Sequence, residues 1–169
     1  ESVARYYDGQ GNFYLTPEDG EALIHRPKDA MDSSAPAASS VAVMNLLRLQ
    51  PFTGDDIFRE VAEQCFKTYR LHMEKMPGGM ATLLQALDLY LSSPTEVTLV
   101  GAVPEEWLVR LGRLYLPNLV LTGGDYPLDY APIWEGKTAK DGAPTLYVCR
   151  NFACSAPVTD WREAEPLLV

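Results

Sequence analysis

A chain of 169 residues, 47% of them hydrophobic and 22% charged, has the size and composition of one globular domain, with or without an appendage. Its formal net charge of -9 at pH 7 argues against nucleic-acid binding, which needs a basic surface, and it disfavours contact with an anionic membrane surface. The longest apolar run, Val41 to Leu49, is interrupted by Asn45 and is too short to span a membrane.

Three cysteines without a disulfide-dense spacing are typical of a reducing compartment, so we expect a cytoplasmic protein. The sequence indicates no cofactor and no metal site, and it identifies no catalytic residue. We expect the chain to be part of a larger protein, because its most apolar helices have few elements here to cover them.

The first 31 residues predict a β-hairpin. Two short segments, Gly11 to Leu15 and Ala22 to His25, flank the turn-forming residues Thr16 to Gly20. A lone hairpin is barely stable, so we expect it to lie on another element.

The stretch from Asp32 to Leu49 begins as a loop of small residues and becomes a helix at Ser39 or Ser40. This helix is apolar almost all the way round, with only Asn45 and Arg48 as polar interruptions. A helix without a solvent face must be covered by other elements, so we expect it in the body of the fold. Its first backbone amides need acceptors, which the two serines supply in part and which a ligand or Asp32 could complete.

The loop that precedes this helix is the candidate ligand site. We expect the segment from 26 to 40 to line a cleft, with Asp32 as the leading polar contact and Ser40 helping to cap the helix. The alternatives are a capped core helix without a ligand and a solvated charged loop. The candidate residues are Arg26, Lys28, Asp29, Asp32 and Ser40.

Two more helices follow. The second is predicted to start with Thr53 as its N-cap and carries an apolar stripe at helical spacing from Ile57 to Met73. The third runs from about Met80 to Leu91 and is again largely apolar. Short connections between these helices are typical of helical hairpins.

The pattern then changes to a βαβ unit. Glu96 to Gly101 and Asn118 to Leu121 read as strands, and an amphipathic helix begins between them at Pro104. The loop from Gly101 to Glu106 lacks a glycine-rich turn and places two glutamates where a phosphate would bind. A dinucleotide site is therefore excluded.

The segment from Gly123 to Pro144 is long and irregular. Its aromatic residues Tyr126, Tyr130 and Trp134 could stack on a sugar ring, but we expect them to anchor the loop to its own domain. A third strand, Thr145 to Cys149, follows this loop.

Cys149 and Cys154 are the redox candidates. Four residues separate them, which is too many for a thioredoxin active-site turn. We expect two reduced, unconnected thiols that lie near each other and perform no catalytic cycle. A small disulfide loop and two of the four ligands of a structural zinc ion are the alternatives.

Two stretches together resemble one family. The run from Pro36 to Leu49 is similar to a Pro-Ser-Gly-Asn-Ser-Val run that leads into an Asn-Leu-Leu-Arg-Leu helix, and it departs from that pattern at Ala38 and Ser39. The segment from Thr145 to Cys154, with Pro157 to Asp160 after it, resembles the family's closing segment. The family is the thioredoxin-domain-containing proteins related to spermatogenesis-associated protein 20, and the resemblance spans the whole chain.

The resemblance implies the C-terminal part of a protein that joins a thioredoxin-like domain to a helical toroid similar to six-hairpin glycosidases and sugar epimerases. It implies a mixed α/β fold, with helical hairpins of an (α/α) toroid-like body over residues 1–94 and a small βαβ-β subdomain over residues 95–169. The remainder of the same protein, including the thioredoxin-like domain, is the implied partner.

Two functions are expected from this resemblance. The first is binding of a carbohydrate, or action on one, in a cleft of the toroid. The second is a non-catalytic, redox-associated scaffold or interaction module that supports the thioredoxin-like domain. Sugar binding by the purified chain would favour the first, and redox-dependent association with a thioredoxin would favour the second.

Overall fold

The computed structural model describes residues 3–125, 131–151 and 153–168. The described residues divide into two compact units, the first within the bounds Glu1–Gln50 and Asp55–Leu91 and the second within Pro51–Gly54 and Ser92–Val169. The elements in chain order are α1 (Ala38–Thr53), α2 (Ile57–Lys75), α3 (Ala81–Ser92), β1 (Thr95–Val100), α4 (Glu105–Leu111), β2 (Leu119–Gly124), β3 (Thr145–Arg150), β4 (Ala153–Cys154) and α5 (Trp161–Leu168). The division into domains at residue 94 stays a prediction, since a compact unit is not by itself an independent domain.

The core of the first unit is built by α1, α2 and α3, with Met80 from the turn between α2 and α3 and one aromatic residue of the N-terminal segment. On α1 only one side is buried, while Val41 and Leu49 on its other side are 38% and 45% exposed. The expectation that this helix has no solvent face is therefore wrong. The buried core residues are Phe13, Val43, Leu46, Leu47, Ala62, Cys65, Phe66, Met73, Met80, Leu83, Ala86 and Leu89.

The second and third helices follow their sequence patterns, with one shifted boundary. Thr53 ends α1 instead of capping α2, and Asp55 accepts a hydrogen bond of 3.1 Å from the Ile57 amide at the start of α2. A short 3-10 turn, Pro77–Met80, separates α2 from α3, because Pro77 and two glycines cannot continue the helix.

The predicted N-terminal hairpin is wrong. In its place the segment makes isolated bridges that pair Tyr7 with Phe13 and Tyr14 with Lys28. Gly11 explains the local geometry, since its φ of +89° is readily adopted by glycine. A Cβ atom there would lie 2.6 Å from the backbone oxygen of Gln64 on α2, so a glycine allows this close approach.

The second unit is organised around a mixed sheet with the strand order β2-β1-β3-β4. β1 and β2 are parallel and are joined through α4, which confirms the predicted βαβ unit. β3 is antiparallel to β1, and the two-residue β4 is antiparallel to β3 at the edge. The short strand β4 was not predicted.

The sheet of the second unit has side chains packed on both faces. One face bears α4 and α5, and its buried residues are Val97, Leu99, Trp107, Leu111, Leu146, Val148, Trp161, Ala164 and Leu168. The other face, which we call the loop face, is covered by the segment from 131 to 139; its buried residues are Val100, Val120, Ala131, Ile133 and Trp134. Trp134 donates a 3.0 Å hydrogen bond from Nε1 to Thr122 Oγ1, so this aromatic residue anchors the loop as expected. Tyr126 and Tyr130 lie outside the described residues.

The prediction of a toroid-like body is wrong. The described ranges hold five α-helices and one small mixed sheet, which together make a small α/β fold. Helical periodicity predicts helices but not how they are arranged, and three consecutive helices with short connections fit a compact unit as well as a ring of hairpins. Within residues 3–125, 131–151 and 153–168, no helix combines the length and the apolar character needed to cross a membrane.

Candidate functional site

Cys149 and Cys154 form a disulfide across the edge of the sheet. The expectation of unconnected thiols is wrong, and the structure contains the small disulfide loop that was one alternative. Cys149 of β3 is directly opposite Cys154 of β4, and the turn between them uses Asn151 with a φ of 51°. Asn tolerates this left-handed conformation better than most residues, which allows so tight a hairpin.

The two sulfur-bearing residues differ in their access to solvent. Cys149 is only 3% exposed, whereas Cys154 is exposed on the edge strand. Thiol–disulfide exchange requires an incoming thiolate to reach one sulfur, so the exposed cysteine offers the accessible end of this bond.

Backbone pairing continues on the C-terminal side of the disulfide. The Ser155 amide donates to the Val148 carbonyl at 2.9 Å. Leu146 and Val158 exchange two backbone hydrogen bonds of 2.8 and 3.1 Å. The segment that carries Cys154 is therefore held against β3 by bonds that do not involve sulfur.

Glu96 lies next to this disulfide. In the register of the sheet, Glu96 of β1 is directly opposite Cys149 of β3, so the two side chains share the loop face. Burial raises the pKa of the Glu96 carboxyl above its ordinary value, and the nearby positive charge of Lys137 opposes this rise.

Lys137 is a buried cation in the segment from 131 to 139, which covers the loop face. Its Nζ atom donates a 2.5 Å hydrogen bond to the Ile133 carbonyl, and Thr98 Oγ1 donates to the same carbonyl at 3.3 Å. Burial lowers the pKa of Lys137, while Glu96 and Glu135 act in the opposite direction. Because Thr98 is two residues beyond Glu96 on the same face of β1, the shared carbonyl locates the ammonium group at this face.

These groups were not among the residues proposed from the sequence. The available signal was a single carboxylate near the start of an otherwise apolar buried strand, at Glu96. Lys137 carried no comparable signal, because its position on the loop face depends on the tertiary fold of the irregular segment.

Asp32 accepts hydrogen bonds at the starts of two helices. Oδ1 accepts from the Ala37 amide at 2.8 Å and Oδ2 accepts from the Thr82 amide at 2.7 Å. Burial opposes the charged form of this carboxyl, yet the hydrogen bonds from Thr82 and Ala37 leave its pKa below the ordinary value. Both oxygens of the leading ligand candidate therefore serve as acceptors for main-chain amides.

The other candidates of this loop also have contacts within the first unit. Arg26 donates to the Thr16 carbonyl at 2.7 Å and lies over the ring of Tyr14, 3.8 Å from its centroid. Lys28 Nζ is 2.5 Å from a carboxylate oxygen of Asp8.

Asp29 and Ser40 complete the predicted set. Asp29 is exposed and accepts a 3.2 Å hydrogen bond from the Met31 amide. Ser40 is 1% exposed, and in the described ranges its hydroxyl has no hydrogen-bond partner, so it does not cap α1. Ligand binding by the five loop residues stays a prediction.

A metal centre has no ligand set in the described ranges. No group of three His, Cys, Asp or Glu side chains is placed there to hold an ion. The disulfide itself can exchange with a thiol, and one carboxyl and one ammonium group lie on the same face of the sheet as the buried sulfur.

The sequence of this chain is similar to segments of longer known proteins. It is 31% identical over 175 residues to spermatogenesis-associated protein 20 of Homo sapiens, which covers 96% of this chain and 22% of that protein. The Mus musculus protein of the same name is 29% identical over 95% of the chain and 21% of its own length. An uncharacterised Caenorhabditis elegans protein is 28% identical over 96% of the chain and 23% of its length.

The chain thus spans about a fifth of the length of the curated relatives it matches. No family model matches it. The similarity supports a relationship with the spermatogenesis-associated protein 20 family.

Proposed function

We propose that this chain is a non-catalytic, redox-associated module of a longer protein, and that its Cys149–Cys154 disulfide is exchanged with a thioredoxin-like domain of that protein. The observation that carries this proposal is the disulfide itself, with one exposed and one buried cysteine on an edge hairpin. The thioredoxin-like partner comes from the family resemblance. The similarity to segments of longer proteins supports the proposed place of this chain within a larger one.

The position of the disulfide supports exchange over a purely structural role. The bond closes a loop of only a few residues, so it constrains little of the unfolded chain. A thioredoxin-like domain can approach the exposed Cys154 from the open edge of β4. The cytoplasmic location expected from the cysteine content stays a prediction. In the cytoplasm, disulfides are usually transient and take part in redox reactions.

Covalent trapping tests the proposal. The purified chain is incubated with a reduced thioredoxin whose second active-site cysteine is replaced by serine, so that a mixed disulfide cannot resolve. We expect a disulfide-linked complex with the unmodified chain and none with Cys154→Ser. The matched control is Cys65→Ser, which removes the buried free cysteine and leaves the complex intact.

A chain whose disulfide survives an excess of reduced, unmodified thioredoxin contradicts the proposal. A complex that forms equally well with Cys154→Ser also contradicts it, because the linkage would then have formed elsewhere.

Carbohydrate binding stays a prediction of the resemblance, and it ranks second. Asp32 and Arg26, two of the residues expected to contact the sugar, bond to the main chain of the first unit. A calorimetric screen of neutral and acidic sugars against the purified chain separates the two functions, since saturable binding unaffected by reduction favours the carbohydrate hypothesis.

A further inference from the structure

One row of side chains crosses the loop face of the sheet and contains both cysteines. The register pairs Val120 with Glu96, Glu96 with Cys149, and Cys149 with Cys154. Directly opposed side chains in neighbouring strands are close enough to interact. The buried sulfur thus has a carboxyl group on one side and the exposed sulfur on the other.

We propose that an outside dithiol attacks the sulfur of Cys154, that Cys149 is the leaving sulfur, and that Glu96 gives it a proton. This inference rests on the proposed function and names the chemistry of its site. The reductant class is a dithiol such as the active-site pair of a thioredoxin-like domain.

The reaction balances in two steps. The incoming thiolate forms a bond to Cys154 Sγ, the bond to Cys149 Sγ breaks, and its electron pair stays on Cys149, which takes the proton of the Glu96 carboxyl. The second thiolate of the reductant then attacks its own first sulfur and releases Cys154 as a thiolate, which takes a proton from water. The cysteine pair is reduced and the dithiol becomes a disulfide.

Access decides which sulfur is attacked. Cys154 is exposed on an edge strand, whereas Cys149 is buried in the row between Glu96 and Cys154. An attacking thiolate must align with the bond it breaks, and only the exposed end of this bond leaves room for that approach.

Charge decides what Glu96 does. An ionised carboxylate beside the leaving sulfur repels the negative charge that develops there, while a protonated one can neutralise it. Burial favours the protonated form of Glu96, which makes it a suitable donor. Among the described residues, the other titratable groups on the loop face are Lys137, Glu135 and Tyr147, and Tyr147 donates its hydroxyl to the Thr138 carbonyl at 2.7 Å.

Arg150 does not take part in this charge balance. Its guanidinium lies on the opposite side of β3, where it donates to Thr95 Oγ1 at 3.0 Å and to the Leu167 carbonyl at 2.7 Å. The cation that faces Glu96 is Lys137, which stabilises the charged form of that carboxyl.

The backbone favours reversal of the reaction. The pairing of Ser155 with Val148 and of Val158 with Leu146 does not involve sulfur, so it keeps the two reduced thiols opposite each other. Held in this way, they have a high effective concentration towards each other and can close again when an oxidised partner is present.

The rate of reduction by dithiothreitol tests the role of Glu96. The rate is measured from pH 5 to pH 9 and divided by the concentration of dithiothreitol thiolate, so that the titration of the reagent is removed. In the unmodified chain we expect the resulting rate constant for attack by the thiolate to fall about tenfold as Glu96 loses its proton. In Glu96→Gln it stays flat, whereas Glu96→Asp, which keeps a carboxyl group, shows the fall.

Glu163→Gln is the matched control, because Glu163 is an exposed carboxylate on α5, which packs on the other face of the sheet. It should behave as the unmodified chain does. Lys137→Met supplies a second variant if Glu96→Gln fails to fold. Without the cation, Glu96 keeps its proton to higher pH, so the fall should shift upward in pH. A fall that does not move in Lys137→Met, or that persists in Glu96→Gln, overturns the assignment of Glu96.

Single-cysteine variants test the choice of sulfur. Reaction with an aromatic disulfide reagent should be at least about tenfold faster for Cys154 in Cys149→Ser than for Cys149 in Cys154→Ser. Cys65 is common to both variants, and burial raises its pKa to about 12, which keeps it unreactive. Equal rates, or a faster Cys149, overturn the proposed direction of attack.

The two proposals fail in different ways. If dithiothreitol reduces the chain but thioredoxin does not trap it, the proposed function fails and the role of Glu96 is still decided by the pH profile. If thioredoxin is trapped on Cys154 while Glu96→Gln keeps the profile of the unmodified chain, the proposed function survives and only the role of Glu96 fails.

Discussion

The carboxylate of Asp32 accepts a hydrogen bond of 2.7 Å from the backbone amide of Thr82, which lies 50 residues further along the chain. Its other oxygen accepts from Ala37, so one side chain provides an acceptor at the starts of both α1 and α3. Negative charge at a helix N-terminus is favourable, and the first amides of a helix need acceptors outside it. Asp32 thus connects the starts of α1 and α3.

Replacement of Asp32 by alanine should lower the free energy of unfolding by about 1–3 kcal/mol, because two amides lose a charged acceptor. The measurement is urea denaturation followed by helical circular dichroism. Asp29→Ala is the matched control, since Asp29 is exposed and accepts a local hydrogen bond from the Met31 amide. Its stability should change by less than about 0.5 kcal/mol. An unchanged stability in Asp32→Ala would support the ligand-site hypothesis instead.

This example indicates which parts of the site the sequence could predict. A polar residue before an apolar helix predicts a cap, so the sequence allows Asp32 to act as an acceptor for the amides of that helix. The sequence pattern could not show that the second oxygen of Asp32 is occupied by Thr82, because that contact depends on how α1 and α3 pack. Because the sequence does not reveal the contact with Thr82, it left an oxygen of Asp32 available for a ligand in the prediction.

The strands of the second unit illustrate the same limit. The apolar pattern predicted β1 and β2, and the short helix between them predicted their parallel pairing. It did not predict that Glu96 faces Cys149, because a shift of one residue in register would turn Glu96 to the opposite face. The disulfide was only one alternative for the same reason, since spacing alone does not show that two cysteines are opposed in neighbouring strands.

Arg150 should contribute to the stability of the second unit through the end of α5. Its guanidinium donates to the carbonyls of Leu167 and Leu168 and to the hydroxyl of Thr95. Lysine cannot reproduce this planar set of donors. Because Arg150 is exposed, we expect Arg150→Lys to lower the free energy of unfolding by only about 1 kcal/mol.

The measurement for Arg150→Lys is urea denaturation followed by tryptophan fluorescence, because all three tryptophans lie in the second unit. The control is Arg162→Lys, which changes an exposed arginine on α5. It should leave the urea midpoint unchanged. Equal midpoints for the two variants would show that the contacts of Arg150 add no stability.

Gly123 should not tolerate a side chain. A Cβ atom at this position of β2 would lie 2.9 Å from Leu99 Cβ and 3.1 Å from the Leu99 carbonyl oxygen, which is too close for either to remain in place. We expect Gly123→Ala to lower the free energy of unfolding by about 1–3 kcal/mol. Tryptophan fluorescence in urea measures this.

Gly112→Ala in the same unit is the control for Gly123→Ala. A Cβ atom at Gly112 would make an ordinary contact of 3.5 Å with the Leu108 carbonyl oxygen. Its effect should be neutral or slightly stabilising, because alanine restricts the unfolded chain more than glycine does. Equal destabilisation by both substitutions would mean that the contact with Leu99 is not the cause.

Glu96 should make the stability of the second unit depend on pH in a defined direction. Burial raises the pKa of its carboxyl in the folded chain, so folding favours the protonated form. The stability that this proton provides is fully present below the unfolded value of about 4.3 and is lost as the pH rises through the higher folded value. Burial lowers the pKa of Lys137 in the folded chain. Its own effect on the pH dependence of stability is therefore confined to the pH range between that lowered pKa and the unfolded value of about 10.4.

The expected result is therefore a difference between two pH profiles. Urea midpoints from tryptophan fluorescence should decline above pH 4.3 more steeply in the unmodified chain than in Glu96→Gln, since glutamine has no proton to lose. Glu163→Gln serves as the control because Glu163 is an exposed carboxylate on α5, and its profile should follow that of the unmodified chain. If Glu96→Gln follows it as well, Glu96 is solvated like a surface carboxylate, and the environment described here for the buried sulfur is wrong.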